Sequence, residues 1–175
     1  VLNKTTGQNL TEIELERPQA LCCDYGNGIY VGYKNSEGTM SVSYYTVDDS
    51  GTLTLIDTFD EVFDDIRDLA VSPDGKTLVV ADGGSQNKIK AFDVATKQRT
   101  WTFGSGESYY TDPTVKDDKL LLNVKDPVQN NTFVAFEEDS NILWFGDLGN
   151  CRARKLDLSS GTPVIADTIM YQWSS

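Results

Sequence analysis

The sequence predicts an all-β fold, a β-propeller of four-stranded antiparallel blades, and three observations carry that prediction. The first is the stretch 66–93, IRDLAVSPDGKTLVVADGGSQNKIKAFD. Its two apolar runs, 69–71 and 78–81, are joined by Ser72-Pro73-Asp74-Gly75, and a third run, 89–92, follows a Gly/Ser/Gln/Asn loop. Pro suits the second position of a tight turn and Gly supplies the positive φ that closes one, so this reads as a hairpin with a mechanism. The second observation is that the pattern is written again at 133–157 and, more loosely, at 18–33. Leu21, Leu69 and Val134 correspond, as do Cys22, Ala70 and Ala135, then Cys23, Val71 and Phe136, and at the end of the second run Tyr33, Asp82 and Asp147. The third is the period. The copies are offset by 48 or 49 residues and then by 65, and units of about 40–50 residues with four short strands are blades arranged around an axis.

In chain order, residues 1–17 read as the outer half of a preceding blade, because VLNKTTGQ overlays on AFDVATKQ at 91–98. Residues 18–61 form the first full blade, with outer strands at 40–47 and 52–59 joined by Asp48-Asp49-Ser50-Gly51. Alternation in Thr52-Leu53-Thr54-Leu55-Ile56 fits a half-buried strand. Residues 62–104 form the second blade. Residues 105–131 break the period and read as an inserted hairpin on the rim, with Asp117-Asp118 at its turn. Residues 132–175 form the last blade. About three and a half blades are present, all of one propeller domain. At about 45 residues per blade a six-bladed ring needs roughly 270 residues, and the parent ring is expected to be six-bladed. Val1 in place of an initiator methionine fits a segment of a larger polypeptide, or a half-ring that closes against another chain. Uncapped repeat stacks expose edges and apolar faces, so pairing with the rest of its own ring or with another chain is expected.

A family resemblance follows from these residues. Val80-Ala81-Asp82 with Lys88 to Asp93, and Trp144-Phe145-Gly146-Asp147 with the Gly149-Asn150-Cys151-Arg152 run to Asp157, resemble NHL repeats. That family shows an aromatic-Val-Ala-Asp strand end, then Gly-Asn, then an Arg-rich strand ending in an apolar residue and Asp. The 66–93 copy also resembles lactonase-type and YVTN-type propellers, and the first copy departs from the pattern, with Tyr33 in place of the Asp. The resemblance implies that Asp82 and Asp147 are structural, fixing the loop that follows them by accepting backbone N–H groups. The family's amidating-type lyase depends on a His-bound metal, and this sequence holds no histidine, so that activity does not carry over.

Composition narrows the function further. With 27 acids against 15 bases the net charge is −12, which repels phosphate backbones and disfavours a nucleic-acid partner. No apolar run approaches the roughly 20 residues of a membrane span. Without histidine, Ser-His-Asp and Cys-His catalysis and His-ligated zinc have no residues here. Cys22 and Cys23 read as small core residues of an inner strand, and Cys151 sits in a loop two blades away, too far for an easy bridge. The odd count leaves a thiol unpaired within the segment or paired outside it.

Acids gather at Asp57, Asp60, Glu61, Asp64, Asp65 and Asp68. They read as a solvated turn, with calcium the ion such oxygens could hold, and no other cofactor is expected. Three sequons, at Asn3, Asn9 and Asn130, fall in expected turns or blade edges. With the acidity they favour an extracellular or cell-surface glycoprotein. The expected function is a non-catalytic scaffold or binding module that engages protein or carbohydrate through its propeller face and the 105–131 insertion. The alternative is part of a metal-dependent propeller hydrolase or lactonase using acidic channel residues. The apolar inner strands, rich in Leu, Ala, Val, Cys and Phe, favour the scaffold.

Overall fold

A computed structural model describes residues 1–85, 87–107, 109, 112–122 and 132–170. Its twelve strands form three four-stranded antiparallel sheets, each in simple sequential order. The first sheet holds β1 (Pro18–Cys23), β2 (Gly28–Lys34), β3 (Met40–Val47) and β4 (Leu53–Thr58). The second holds β5 (Ile66–Val71), β6 (Thr77–Asp82), β7 (Lys88–Asp93) and β8 (Arg99–Phe103). The third holds β9 (Val134–Phe136), β10 (Ile142–Asp147), β11 (Arg152–Asp157) and β12 (Val164–Met170). The inner strands β1, β5 and β9 lie beside one another, which is the arrangement of partial propeller blades about a common axis.

The repeat is preserved down to the pairing register. Leu21 faces Val31, Leu69 faces Val80 and Val134 faces Phe145. Between the third and fourth strands each sheet shifts register at one equivalent place: Tyr44/Tyr45, Ala91/Phe92 and Lys155/Leu156. A bulge adds right-handed twist, so the three sheets bend alike and can nest.

Nesting sets the core. Because side chains alternate along a strand, Leu69, Leu78, Val80 and Phe92 form one face of the second sheet, and they pack on Tyr30 and Val42 of the first, with Ala20, Cys22 and Tyr44 alongside. Val134, Leu143, Phe145 and Leu156 form the equivalent face of the third sheet and pack on Val79, Ala81, Ile89 and Ala91 of the second. We call the face bearing Leu69 or Val134 the near face and its reverse the far face. The near face of the first sheet carries the counterparts Leu21, Ile29, Val31 and Tyr45. No sheet stacks on it among the described residues, and Leu21 is therefore 61% exposed where Leu69 and Val134 are 3% and 5%.

Two segments carry no named strand among the described residues. Residues 1–17, expected as the outer half of a blade, are joined by one bridge, Leu2 with Asn9, around a turn in which Asn3 N–H donates to Gln8 O and Gly7 N–H to Asn3 O. The hairpin expected over 105–131 lies partly outside the described residues, and its described part pairs with no strand. Residues 118–122 hydrogen-bond instead to loop and side-chain groups of both the second and the third sheets, Ser105 and Asn87 on one side and Asp147 and Gly149 on the other. Leu120 and Leu122 are buried in the second core cluster, where their apolar side chains gain more than they would on a rim.

Gly32 lets the first sheet approach Ile66 of the second closely. A Cβ there would meet Cγ2 of Ile66 at 2.8 Å, and the equivalent positions in the other sheets are the small residues Ala81 and Gly146. Gly32→Val should therefore overpack this contact and cost about 1–3 kcal/mol, read as a Tm lowered by several degrees in a thermal melt.

Candidate binding cleft

Where the first and second sheets splay apart at their turns they leave a cleft of about 440 Å³. Three turns frame it, each held by its own side chain. In the β1–β2 turn, Asp24 Oδ1 accepts the N–H groups of Gly26 and Gly28, both at 2.8 Å. In the β5–β6 turn, Ser72 Oγ donates to Asp74 Oδ1 at 2.6 Å and Gly75 takes the positive φ of 71°. In the β7–β8 turn, Asp93 Oδ1 accepts the N–H and hydroxyl of Thr96, and Lys97 is held at a φ of 59°. Turn residues with short polar side chains mimic backbone turns in this way.

The floor is aromatic and aliphatic. Tyr30 and Tyr44 stack with centroids 4.6 Å apart, Phe59 meets Tyr30 edge-on at 6.2 Å, and Val94 closes the far wall. Tyr25 stands 70% exposed at the mouth. The polar groups are three carboxylates and one ammonium. Tyr44 donates its hydroxyl to Asp24 Oδ2 at 2.9 Å, and burial together with that bond raises the Tyr44 phenol above its ordinary pKa. Lys97 bonds Asp57 and holds that carboxyl below its usual value. The Ser72 hydroxyl does the same for Asp74. The cleft thus offers ring faces, carboxylate acceptors and one cation, a set suited to holding a hydroxyl-bearing or polar ligand against an apolar floor.

Asp82 and Asp147 lie apart from the cleft, at the entrances to the second and third sheets. Asp82 accepts the N–H groups of Asp64 at 3.2 Å, Asp65 at 2.9 Å and Gly84 at 3.4 Å, and pairs with Lys90 at 2.9 Å. Asp147 accepts Leu121 N–H at 2.7 Å, the Asn150 amide and Arg152 Nε at 2.6 Å. Both carboxylates therefore join the segment that enters the sheet, through Asp64 and Asp65 or through Leu121, to the residues that follow, Gly84 and Lys90 or Asn150 and Arg152. Arg152 in turn donates to the carbonyls of Lys116 and Lys119 at 2.8 and 3.1 Å, which ties down the inserted segment. In the first sheet the counterpart Tyr33 meets Ser43 at 3.2 Å.

The other expected site residues are dispersed. Asn9 is exposed, while Asn3 Oδ1 accepts the N–H groups of Thr5 and Thr6; Asn130 lies outside the described residues. The acidic run separates into individual pairs: Asp57 with Lys97, Glu61 with Lys90 and Arg99, Asp64 with Ser85, Asp65 with Arg67. Among the described residues no group of three or more acids or cysteines is placed to hold a metal ion. Cys22, Cys23 and Cys151 are unpaired thiols. Burial, then the charge of Asp68, pushes the Cys22 thiol up to about 12, leaving it inert. No described helix is long and apolar enough to cross a membrane.

The cleft aromatics had a signal in the repeat. Tyr30 and Tyr44 occupy the positions that are Val79 and Ala91 in the second sheet, so large rings stand where the copy has small side chains.

No protein-family model and no curated protein sequence matches the chain. Among solved structures it is similar to hydrazine synthase of Kuenenia stuttgartiensis, with a TM-score of 0.64 at 20% identity over 95% of this chain. This chain spans 41% of the length of the matched chain. At this identity the likeness shows the fold alone, a β-propeller.

Two outcomes test the polar framework. Asp147 is fully buried and Arg152 nearly so, so Asp147→Ala leaves a guanidinium unpaired in the core and should cost about 3–5 kcal/mol in denaturant unfolding. Asp68 Oδ2 accepts Val134 N–H at 2.8 Å between the second and third sheets, and burial raises its carboxyl above the ordinary value. A carboxyl raised on folding opposes folding once ionised: its penalty is absent below the unfolded pKa and grows as pH rises through the folded one. Asp68→Asn keeps the acceptor and removes that charge. Its Tm should exceed the parent's at pH 7, with the difference vanishing at acid pH.

Proposed function

We propose that this chain is part of an NHL-like binding propeller, a non-catalytic extracellular or cell-surface module that engages a protein or carbohydrate partner at the turn end of its first two sheets. The observation that carries this reading is the cleft itself. Its rings are open at Tyr25 and Tyr44, and its carboxylates are already engaged, Asp24 by Tyr44, Asp57 by Lys97 and Asp74 by Ser72. Such groups are pre-positioned to accept hydrogen bonds, and none is poised as a free base beside a nucleophile. The net charge of −12 directs the module away from phosphate-rich partners. The sequons at Asn3, Asn9 and Asn130 support placement outside the cell.

Calorimetric titration of the folded chain with neutral oligosaccharides and with glycoproteins tests the reading. Binding should survive EDTA and weaken about tenfold, roughly 1.4 kcal/mol, in Tyr25→Ala, whose ring is exposed and leaves the fold intact. Absence of binding, together with lactone hydrolysis that EDTA abolishes, would replace it with the metal-dependent hydrolase.

A further inference from the structure

We propose that the cleft between the first two sheets takes the guanidinium of an arginine on a protein partner, seated against its tyrosines and held by Asp24, Tyr30 and Asp74. This rests on the cleft being a binding site and narrows its partner to a protein presenting a cation. Tyr30 is the group left unsatisfied. It lines the cleft and is only 2% exposed, yet its hydroxyl takes part in no hydrogen bond among the described residues. A buried hydroxyl without a partner is costly, and a ligand N–H reaching into the cleft would supply one. Burial, then Tyr44, Asp24 and Cys22, raise its phenol above the ordinary value, so the hydroxyl stays neutral and its oxygen is free to accept.

The remaining polar atoms decide what the ligand must bring. The Tyr44 proton is committed to Asp24 Oδ2 at 2.9 Å, which leaves the Tyr44 oxygen an acceptor. Asp24 Oδ2 takes that one bond. Asp74 Oδ2 has for company the ammonium of Lys76 at 3.6 Å, a largely exposed side chain outside the lining, and such surface pairs hold weakly. The ammonium within the lining, Lys97, is engaged by Asp57. The cleft is therefore rich in acceptors. A guanidinium carries five N–H donors and no acceptor, whereas a sugar hydroxyl brings acceptor lone pairs with its donor. Charge points the same way, with three carboxylates in the lining against Lys97. So does shape: a planar guanidinium stacks on aromatic faces, and Tyr25 presents one at the mouth.

The probe is a capped glycine tripeptide with arginine at its centre, titrated into the folded chain and followed by chemical shifts. Its citrulline counterpart keeps the shape and loses the charge. The arginine peptide should shift the resonances of the cleft, bind about tenfold or more tightly than the citrulline peptide, and weaken as salt is raised. Tyr30→Phe keeps the ring and removes the hydroxyl; it should weaken binding by about threefold to tenfold without lowering Tm, since no bond within the chain is lost. Equal binding of the two peptides, or full binding in Tyr30→Phe, overturns the proposal. A neutral oligosaccharide that shifts the cleft where the arginine peptide does not also overturns it, and leaves the binding module standing. No shift from the peptide, an oligosaccharide or a glycoprotein overturns both.

Discussion

A single four-stranded sheet cannot hide both of its faces, and stacking near face on far face is the constraint on which this structure depends. The two interfaces use equivalent positions on different chemistry. Between the first and second sheets the far side is aromatic, Tyr30 and Tyr44, against Leu69, Val80 and Phe92. Between the second and third the far side is small, Val79, Ala81 and Ala91, against Leu143 and Phe145. Leu120 and Leu122 enter the second cluster and supply volume that the smaller far face lacks. Close packing of this kind tolerates substitution only where volume is conserved, which is why the small residues at 32, 81 and 146 matter as much as the large ones around them.

Polar groups fasten what the apolar faces bring together. The loop before each of the last two sheets converges on one carboxylate, Asp82 or Asp147, and each carboxylate is answered by one cation, Lys90 or Arg152. Buried pairs are weak contributors to net stability but costly to break. Their effect is to specify which loop enters which sheet. Asp68 adds a direct tie between inner strands while carrying an ionisation penalty of its own. Away from these pairs each turn is shaped by its own side chain, and the bond from Lys97 to Asp57 ties the first two sheets together beside the cleft.

The sequence made the repeat legible and the bonding around it less so. Leu21, Leu69 and Val134 overlay by pattern and fall in identical register in the structure, because strand alternation writes itself directly into hydrophobicity. The bulges that leave Ile56, Thr100 and Ala166 unpaired in the fourth strands had no such trace, since one extra residue in so short a strand shifts its alternation without marking where the shift falls. The partners of Asp82 and Asp147 were expected in the loops that follow them, and Gly84 and Asn150 lie there, while Asp64, Asp65 and Leu121 lie in the segments that precede. A carboxylate can accept from either side, and only the fold brings Asp65 or Leu121 near. Residues 112–122 resembled a rim hairpin because Leu120-Leu121-Leu122 follows an Asp-Asp turn. Their apolar side chains found a core position that linear spacing does not encode. The cleft was half visible, in the tyrosines that replace small residues of the repeat.

Methyl–methyl NOE spectroscopy on protein labelled at Ile, Leu and Val tests the stacking most directly. Cross-peaks should link Leu69 and Val80 to Val42 of the first sheet, and Val134 and Leu143 to Val79 and Ile89 of the second, with Leu21 joined to neither set. Cross-peaks from Leu69 to the third sheet, or none between successive sheets, would contradict the stacking of near face on far face.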